Sequence, residues 1–195
     1  MILYYSPGAC SLADHIALHE AGLAFERCKV DLKTKLTEDG RDYALINPKG
    51  YVPALEFDDG DILTENIAIL SWIADQAPRL SPEAPLGRYR LLEALAFIST
   101  EIHKSFKPFF APGATDDDKA KAAETIVGRL KLIGGQEEGP YLFGPAVTVA
   151  DAYLYVMSLW ARKNGIALPE ALTDWFDAMS ARDAVKLALS HEGLA

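Results

Sequence analysis

This 195-residue sequence contains two cysteines, Cys10 and Cys28, and the residues around them differ. Cys10 follows the turn signal Ser6-Pro7-Gly8 and precedes a helical pattern, so we expect it at or just before a helix N-terminus. Free N–H groups and the helix dipole favour negative charge at that place, which would depress the pKa of the thiol and favour its reactive thiolate. The same spacing fits a small buried apolar residue equally well.

Single-thiol chemistry is the only cysteine redox chemistry that this pattern allows. Thioredoxin-type dithiol chemistry needs a second cysteine three residues after Cys10, and Ala13 occupies that position, which excludes an intramolecular disulfide there. Cys28 falls in a predicted strand with no helix end nearby, and we interpret it as structural. Ser11 with Asp14 fits a weak capping box that would fix the start of the helix. Neither cysteine has metal-ligand spacing, so no metal site is expected.

Three further segments have features that suit a binding site. The run Asn47-Pro48-Lys49-Gly50-Tyr51-Val52-Pro53 contains two prolines and a glycine, which forbid a helix and predict a shaped loop. Thr64 looks like the N-cap of a helix whose first free amides, at Glu65 and Asn66, suit a carboxylate. His103 falls on a predicted helical face that points toward a cleft. A plain proline turn, simple dipole compensation and an idle histidine are the structural alternatives.

The elements that must position these residues change type along the chain. Residues 2–5 and 25–30 are predicted strands on either side of a helix that ends near Gly22, which gives a strand-helix-strand unit. Asp58-Asp59-Gly60 is a hairpin signal between short strands at 54–57 and 61–63. Beyond residue 87 only helical patterns remain. They comprise an apolar stripe at Leu91, Leu95, Ile98, Ile102 and Phe106, followed by helices over roughly 117–134, 149–163 and 168–190.

The best boundary in the sequence is the stretch from Gln76 to Gly87, which contains three prolines and has no periodicity. We therefore expect an α/β domain at 1–78, a linker at 79–86 and an all-helical domain at 87–195. Half of the residues are apolar, enough for a core without cross-links.

Charge and composition exclude several classes of function. A net charge of −9 and a pI near 4.9 disfavour binding to nucleic acid or anionic membranes. The N-terminus lacks the pattern of a secretory signal, and no run approaches 18 apolar residues. We therefore expect a cytoplasmic protein with both thiols free.

The stretch Tyr5-Ser6-Pro7-Gly8-Ala9-Cys10-Ser11-Leu12 resembles the N-terminal signature of the bacterial beta class of glutathione transferases, and the order of segments resembles that family along the whole chain. The resemblance implies an α/β plus all-α fold: an N-terminal thioredoxin-like domain with the order βαβ-α-ββα, then an all-helical C-terminal domain. It also implies that Cys10 is the active-site residue, with the hydroxyls of Tyr5 and Ser11 tuning its thiol.

The resemblance also implies a glutathione site. In the family the bond before Pro53 is cis, and the N–H and C=O of Val52 pair with the cysteinyl part of glutathione. Tyr51 stands where beta-class relatives commonly have Gln. Glu65 would bind the ammonium group of the γ-glutamyl part, with Asn66 beside it where Ser or Gly is more usual.

Further contacts are implied on both sides of that site. Lys35 matches a family lysine that pairs with the glycyl carboxylate of glutathione. The family's active-site helix is matched here by Thr100, Glu101, His103 and Lys104. In that match His103 would hold the sulfur as an anion or act as acid and base. Ala96 stands where relatives often have Asn.

A second motif of the resemblance is structural rather than catalytic. Val147-Thr148-Val149-Ala150-Asp151 is a capping box in front of an apolar helix, similar to the folding motif of glutathione transferases. We expect Asp151 to be buried and to satisfy N–H groups at the helix start.

The implied function is conjugation of glutathione to electrophilic small molecules, or thiol exchange through Cys10, by a bacterial detoxification enzyme. The family also implies a homodimer, with glutathione as co-substrate and no permanently bound cofactor. A protein that binds glutathione or hydrophobic ligands without turnover is the alternative, and an interaction adaptor is a third reading. The sequence does not identify the electrophile that the pocket binds. The aromatic candidates for lining this pocket are Phe106, Phe109, Phe110 and Trp160, and these residues suit the core as well.

Overall fold

A mixed five-stranded sheet forms within the first 64 residues. The computed structural model describes residues 1–134 and 139–195. The strands in chain order are β1 (Ile2–Tyr5), β2 (Glu26–Asp31), β3 (Leu36–Thr37), β4 (Ala54–Glu56) and β5 (Ile62–Thr64). Across the sheet their order is β3-β2-β1-β4-β5. Because β1 is parallel to β2 and β4 is antiparallel to β5, both the predicted strand-helix-strand unit and the predicted hairpin are confirmed.

Helices make up the rest of the regular structure in the described ranges. They are α1 (Leu12–Ala21), α2 (Asn66–Gln76), α3 (Gly87–Phe97), α4 (Lys107–Phe110), α5 (Asp116–Gly134), α6 (Val149–Lys163), α7 (Thr173–Ala181) and α8 (Asp183–His191). The expected change from an α/β region to an all-helical region is confirmed. None of these helices is both long and apolar enough to cross a membrane.

Helix α1 ends as predicted but begins differently. Gly22 adopts a left-handed conformation with φ 70°, and its N–H donates to the carbonyl of His19. The expected capping box is wrong, because Ser11 is already helical in its backbone and its Oγ accepts from the N–H of Ser6 at 3.3 Å. Asp14 is fully buried, and neither carboxylate oxygen has a partner among the described residues.

The segment between β2 and β4 is more irregular than the resemblance implied. A two-residue strand, β3, was not predicted, and a single 3-10 turn at Tyr43–Leu45 occupies the place of the expected helix. Asp42 caps this turn by accepting from the N–H of Ala44. The turn cannot extend into a helix because Pro48 lacks the N–H that a helix needs and Gly50 is left-handed.

Helix α2 begins one residue later than predicted. Thr64 ends strand β5, and Glu65 links the two elements with a positive φ of 79°. Glu65 is thus the N-cap position, and Asn66 is the first helical residue.

The predicted apolar stripe is buried along its whole length, although the helix that carries it changes form. α3 continues into a π-helical segment at Ile98–Ile102 and a 3-10 segment at His103–Phe106 before α4. A π turn takes more residues than an α turn, so positions after it rotate about the axis. His103 therefore turns inward, whereas Thr100 and Lys107 stay exposed.

The last predicted helix, over 168–190, is two helices. Arg182 is extended, with φ −69° and ψ 138°, and separates α7 from α8.

One apolar core runs through both halves of the chain. Helix α1 packs against α2, α6 and α8, and its seven residues from Leu12 to Leu18 are all buried. α6 is buried continuously from Val149 to Ser158. The sheet-bearing half and the helical half therefore share side-chain packing at α1 and α6.

Candidate active site

Cys10 lies where three segments meet. Its Sγ is 3.5 Å from the carbonyl oxygen of Val52, to which the thiol donates. The side-chain amide of Asn66, at the start of α2, donates to the carbonyl of Cys10 at 3.1 Å. The loop after β1, the loop before β4 and the N-terminus of α2 are thus joined at this residue.

The thiol of Cys10 does not have the low pKa that its position in the sequence suggests. Burial raises its pKa to about 12, and the nearby buried carboxyl of Asp14 adds to the rise. Hydrogen bonds from the N–H groups of Cys10 and Ser11 act in the expected direction and lower it, but desolvation outweighs them. Near pH 7 the side chain is therefore a neutral thiol that can donate a hydrogen bond.

The loop before β4 presents its backbone toward Cys10. The Val52–Pro53 bond is cis, as expected. The carbonyl of Tyr51 accepts from the hydroxyl of Tyr43 at 3.1 Å and from the amide of Asn47 at 2.7 Å, which anchors the loop from beneath. The N–H of Val52 has no hydrogen-bond partner in the described ranges. The loop thus leaves one backbone donor beside the thiol.

Glu65 forms a polar cluster at the start of α2. Its carboxylate accepts from the ammonium of Lys49 and, at 2.8 Å, from the hydroxyl of Tyr51. These two donors lower the pKa of Glu65. Lys49 also donates to the hydroxyl of Thr64 at 3.0 Å. An anionic group is therefore held next to the free amides of the helix.

His103 approaches the same place from the helical half. Its Nδ1 is 2.7 Å from the hydroxyl of Tyr153, and its ring meets Trp160 edge to face. Burial, with a smaller effect from Lys104, lowers the pKa of His103 to about 4, so the ring is neutral near pH 7. Because Tyr153 engages Nδ1, Nε2 is the ring nitrogen left for a ligand.

These segments enclose a cleft of about 420 Å³. Eight residues predicted from the sequence line it: Cys10, Tyr51, Val52, Pro53, Glu65, Asn66, His103 and Lys104. Ile67, Ser99 and Tyr153 also line it and were missed. For Tyr153 the available signal was a hydroxyl in the middle of an apolar helix, which needs a partner when buried.

The other predicted site residues do not line this cleft. Tyr5 packs its ring against His15 at 5.9 Å between centroids, and Ser11 bonds to the backbone of Ser6. Both residues thus make structural contacts, and neither lines the cleft beside Cys10.

Thr100, Glu101 and Lys35 also have local partners outside the cleft. The hydroxyl of Thr100 donates to the carbonyl of Ala96 at 3.0 Å, and Glu101 pairs with Arg129 at 3.0 Å. Lys35 donates its ammonium to the carbonyl of Gly50 at 2.6 Å, beside the loop before β4. Lys35 is thus near that loop, and neither Thr100 nor Glu101 lines the cleft.

The four aromatic candidates differ in their accessibility. Phe106 is fully buried in the core. Phe110 is 60% exposed and meets Trp160 at 4.9 Å between centroids. Trp160 also donates its Nε1–H to the carbonyl of Gly8 at 2.8 Å. Trp160 and Phe110 thus form an apolar surface next to the loop that carries Cys10.

Comparison with known proteins gives consistent matches. A family model described as the N-terminal domain of glutathione S-transferase matches residues 9–76. The chain is 40% identical to glutathione S-transferase GstA of Escherichia coli O157:H7, and the match covers all of both chains.

Solved structures match over the same extent. A sphingomonad glutathione S-transferase complexed with glutathione is 48% identical with a TM-score of 0.92, and both chains are covered completely. A bacterial beta class glutathione S-transferase of Sphingomonas chungbukensis is 42% identical with a TM-score of 0.90, again over all of both chains.

Proposed function

The chain belongs to the glutathione S-transferase family, and from that premise we propose that it conjugates glutathione to electrophilic small molecules in the cleft beside Cys10. The observation that carries the proposal is the convergence of Cys10, the Val52 backbone, Glu65 and His103 on one cleft. Glutathione is the co-substrate, and no permanently bound cofactor is needed.

The chemistry of the cleft suits the three parts of the tripeptide. The free N–H and the carbonyl of Val52 can pair with its cysteinyl backbone as an added strand would. The carboxylate of Glu65 suits the ammonium of the γ-glutamyl part. The backbone N–H of Asn66, at the start of α2, suits the carboxylate of that same part. Lys35 and Lys104 supply positive charge for the glycyl carboxylate. Together these contacts would bring the glutathione sulfur to Cys10.

A neutral Cys10 thiol has a defined role in this reaction. We propose that its S–H turns from the Val52 carbonyl to donate a hydrogen bond to the glutathione sulfur, which stabilises the glutathione thiolate. That thiolate then forms a bond to the electrophilic carbon, and the leaving group departs with its electron pair. As that thiolate forms, the neutral imidazole of His103 can accept the thiol proton of glutathione through Nε2.

Thiol exchange through Cys10 is the slower reaction in this proposal. It requires the thiolate of Cys10 to attack a disulfide, and burial disfavours that form. Exchange should therefore rise steeply with pH, whereas conjugation depends on the pKa of bound glutathione.

Replacement of Cys10 by serine and by alanine tests this assignment. We expect Cys10→Ser to keep conjugation of an activated aryl halide within about tenfold of wild type, because its hydroxyl still donates a hydrogen bond. Cys10→Ala should lose roughly 10²-fold in kcat/KM, the effect of removing one donor to a developing anion. Both variants should lose reduction of a small glutathione mixed disulfide.

Cys28→Ser is the matched control, since it removes the other thiol from a buried strand position. It should leave the ratio of the two activities unchanged. Conjugation at wild-type rates by Cys10→Ala would remove the thiol from the mechanism.

We propose three further properties of the chain. The chain divides into a glutathione-binding domain at 1–78, a linker at 79–86 and a helical domain at 87–195 that supplies the electrophile site. It forms a homodimer, as the family does, and it works in the cytoplasm, where its two unpaired cysteines stay reduced. Sedimentation of the purified chain tests the dimer.

A further inference from the structure

Three of the four histidines form a cluster outside the cleft. His15 and His19 lie one turn apart on α1, and His191 is the last residue of α8. One possible ligand atom from each lies within 4.8 Å of the other two. The fourth histidine, His103, is in the active-site cleft and takes no part.

Each histidine of the cluster has one buried ring nitrogen without a hydrogen-bond partner in the described ranges. These atoms are Nε2 of His15, Nε2 of His19 and Nδ1 of His191. Buried polar atoms are nearly always paired, so three unpaired nitrogens in one cluster need an explanation. His15 is fully buried, so its Nε2 has no access to bulk solvent.

The spacing of the rings fits a single metal ion. The ring centroids are 5.0 Å apart for His15 and His19, 5.4 Å for His19 and His191, and 5.6 Å for His15 and His191. Three imidazoles bound to one tetrahedral zinc at about 2.0–2.1 Å have centroids about 5 Å apart. The possible ligand atoms lie within 4.8 Å of one another, compared with about 3.4 Å for nitrogens bound to one tetrahedral zinc, so the three rings must approach one another to bind the ion.

Glu192 orients the most buried of the three rings. Its Oε1 is 2.9 Å from Nδ1 of His15, and its Oε2 accepts from the N–H of Gly8 at 2.8 Å. Because a carboxylate only accepts, the tautomer of a neutral His15 that fits this contact has its proton on Nδ1 and its lone pair on Nε2. A histidine that donates its other N–H to a carboxylate is the usual arrangement at protein metal sites.

We propose that His15, His19 and His191 bind one Zn²⁺ ion through these three nitrogens, with a water molecule in the fourth position and Glu192 holding His15 in place. Neutral imidazole is a ligand that zinc prefers, and three of them with a solvent position form a tetrahedral site. Glu192 is not one of the proposed ligands, because its two carboxylate oxygens already contact His15 and Gly8.

The proposed site would join two elements that are distant in sequence. Two ligands belong to α1 and one to the end of α8, so the ion would fasten the C-terminal helix to the helix that follows Cys10. Glu192 extends the link to Gly8 in the loop before Cys10. The ion would thus cross-link the two helices, and its binding free energy would add to the stability of the folded chain.

Titration of the full chain, expressed without a polyhistidine tag and stripped of metal with a chelator, tests the proposal. We expect one Zn²⁺ per chain by calorimetry at pH 7.5. At a free zinc concentration 100 times the Kd, the Tm should rise by roughly 5–10 °C. No zinc binding by the wild-type chain would overturn the proposal.

Two variants and a control locate the ion. His19→Gln and His191→Gln should each weaken zinc binding at least tenfold and remove the zinc-dependent rise in Tm, with metal-free Tm and circular dichroism close to wild type. His103→Gln removes the remaining histidine and should bind zinc like wild type. Equal affinity in wild type and both cluster variants would place the ion elsewhere.

Cobalt gives a readout that does not depend on any variant folding. Co²⁺ bound to the wild-type chain should show the visible absorption of a tetrahedral nitrogen site without a thiolate charge-transfer band. A thiolate band would assign the metal to a cysteine and overturn the proposal.

Discussion

At the scale of single residues, desolvation sets the protonation states of two side chains in the cleft, Cys10 and His103. The sequence predicted that Cys10 follows a turn at the start of a helix, and this is confirmed. It could not predict the pKa of the thiol, because the burial that raises it comes from segments far away in the sequence. The same is true of His103, whose partner Tyr153 lies 50 residues later.

The neutral state of His103 predicts a loss of stability in acid. Its pKa is about 4 in the folded chain and 6.5 as the ordinary value, so the unfolded chain takes up the proton first as pH falls. The free energy of unfolding should therefore be intact above pH 6.5 and decrease between pH 6.5 and 4. Between pH 7 and 4.5 the wild type should lose about 2 kcal/mol more than His103→Gln in urea unfolding. Equal losses would contradict the buried, neutral histidine.

The carboxylate of Glu65 predicts an effect on binding rather than on the chemical step. Glu65→Gln removes the negative charge that we assign to the γ-glutamyl ammonium. KM for glutathione should rise about tenfold, while kcat changes less than about twofold, since this contact is equal in the ground and transition states. Asp75→Asn is the matched control, because Asp75 also holds an exposed ion pair, with Arg88, outside the cleft. A fall in kcat with unchanged KM would argue against this assignment.

At the scale of elements, the start of α6 is the feature that the sequence predicted most fully. Asp151 is completely buried and accepts four hydrogen bonds. Two come from the N–H and hydroxyl of Thr148, one from the N–H of Leu142 and one from the indole of Trp175. The capping box could be predicted from residues 148–151 alone, whereas Leu142 and Trp175 become partners of Asp151 only through tertiary packing.

Loss of this carboxylate should destabilise the chain without changing the chemistry. We expect Asp151→Ala to lower the free energy of unfolding by about 3 kcal/mol or more, because it leaves several buried donors unpaired. Asp118 makes a similar box with Thr115 at an exposed position, so Asp118→Ala should cost only about 1 kcal/mol. Urea unfolding measures both, and kcat per folded chain should stay at the wild-type value. Similar losses of unfolding free energy in the two variants would show that the burial of Asp151 does not increase its contribution to stability.

Irregular segments were the elements that periodicity could not resolve. The stripe from Leu91 to Phe106 was predicted from spacing and is buried, but the π-helical segment inside it was not predicted. A π turn changes which side of the helix a residue faces without changing the apolar pattern on either side. His103 consequently reaches Tyr153 from a segment that the sequence indicated only as regular helix.

At the scale of the whole molecule, the two halves depend on each other for burial. Every residue from Leu12 to Leu18 in α1 is buried, and α1 packs against α2 from the first half and against α6 and α8 from the second. The sequence indicated where the strands stop, and this is confirmed. It did not indicate that α1 would be covered on all sides by elements from both halves.

This dependence predicts that the first 78 residues do not fold alone. A fragment of residues 1–78 exposes the part of α1 that packs on α6 and α8, and apolar surface left in water weakens a small fold. We expect the fragment to show no cooperative thermal transition by circular dichroism, whereas the full chain unfolds in one transition under the same conditions. A cooperative transition in the fragment would establish independent folding.

The hydrogen bond from Gly8 to Glu192 spans 184 positions, almost the full length of the chain. During synthesis the turn that carries Glu192 leaves the ribosome long after the loop before Cys10. That loop therefore gains this hydrogen bond only after the 184 residues that follow Gly8 have been made. A nascent chain stalled short of Glu192 would hold the loop before Cys10 without this support.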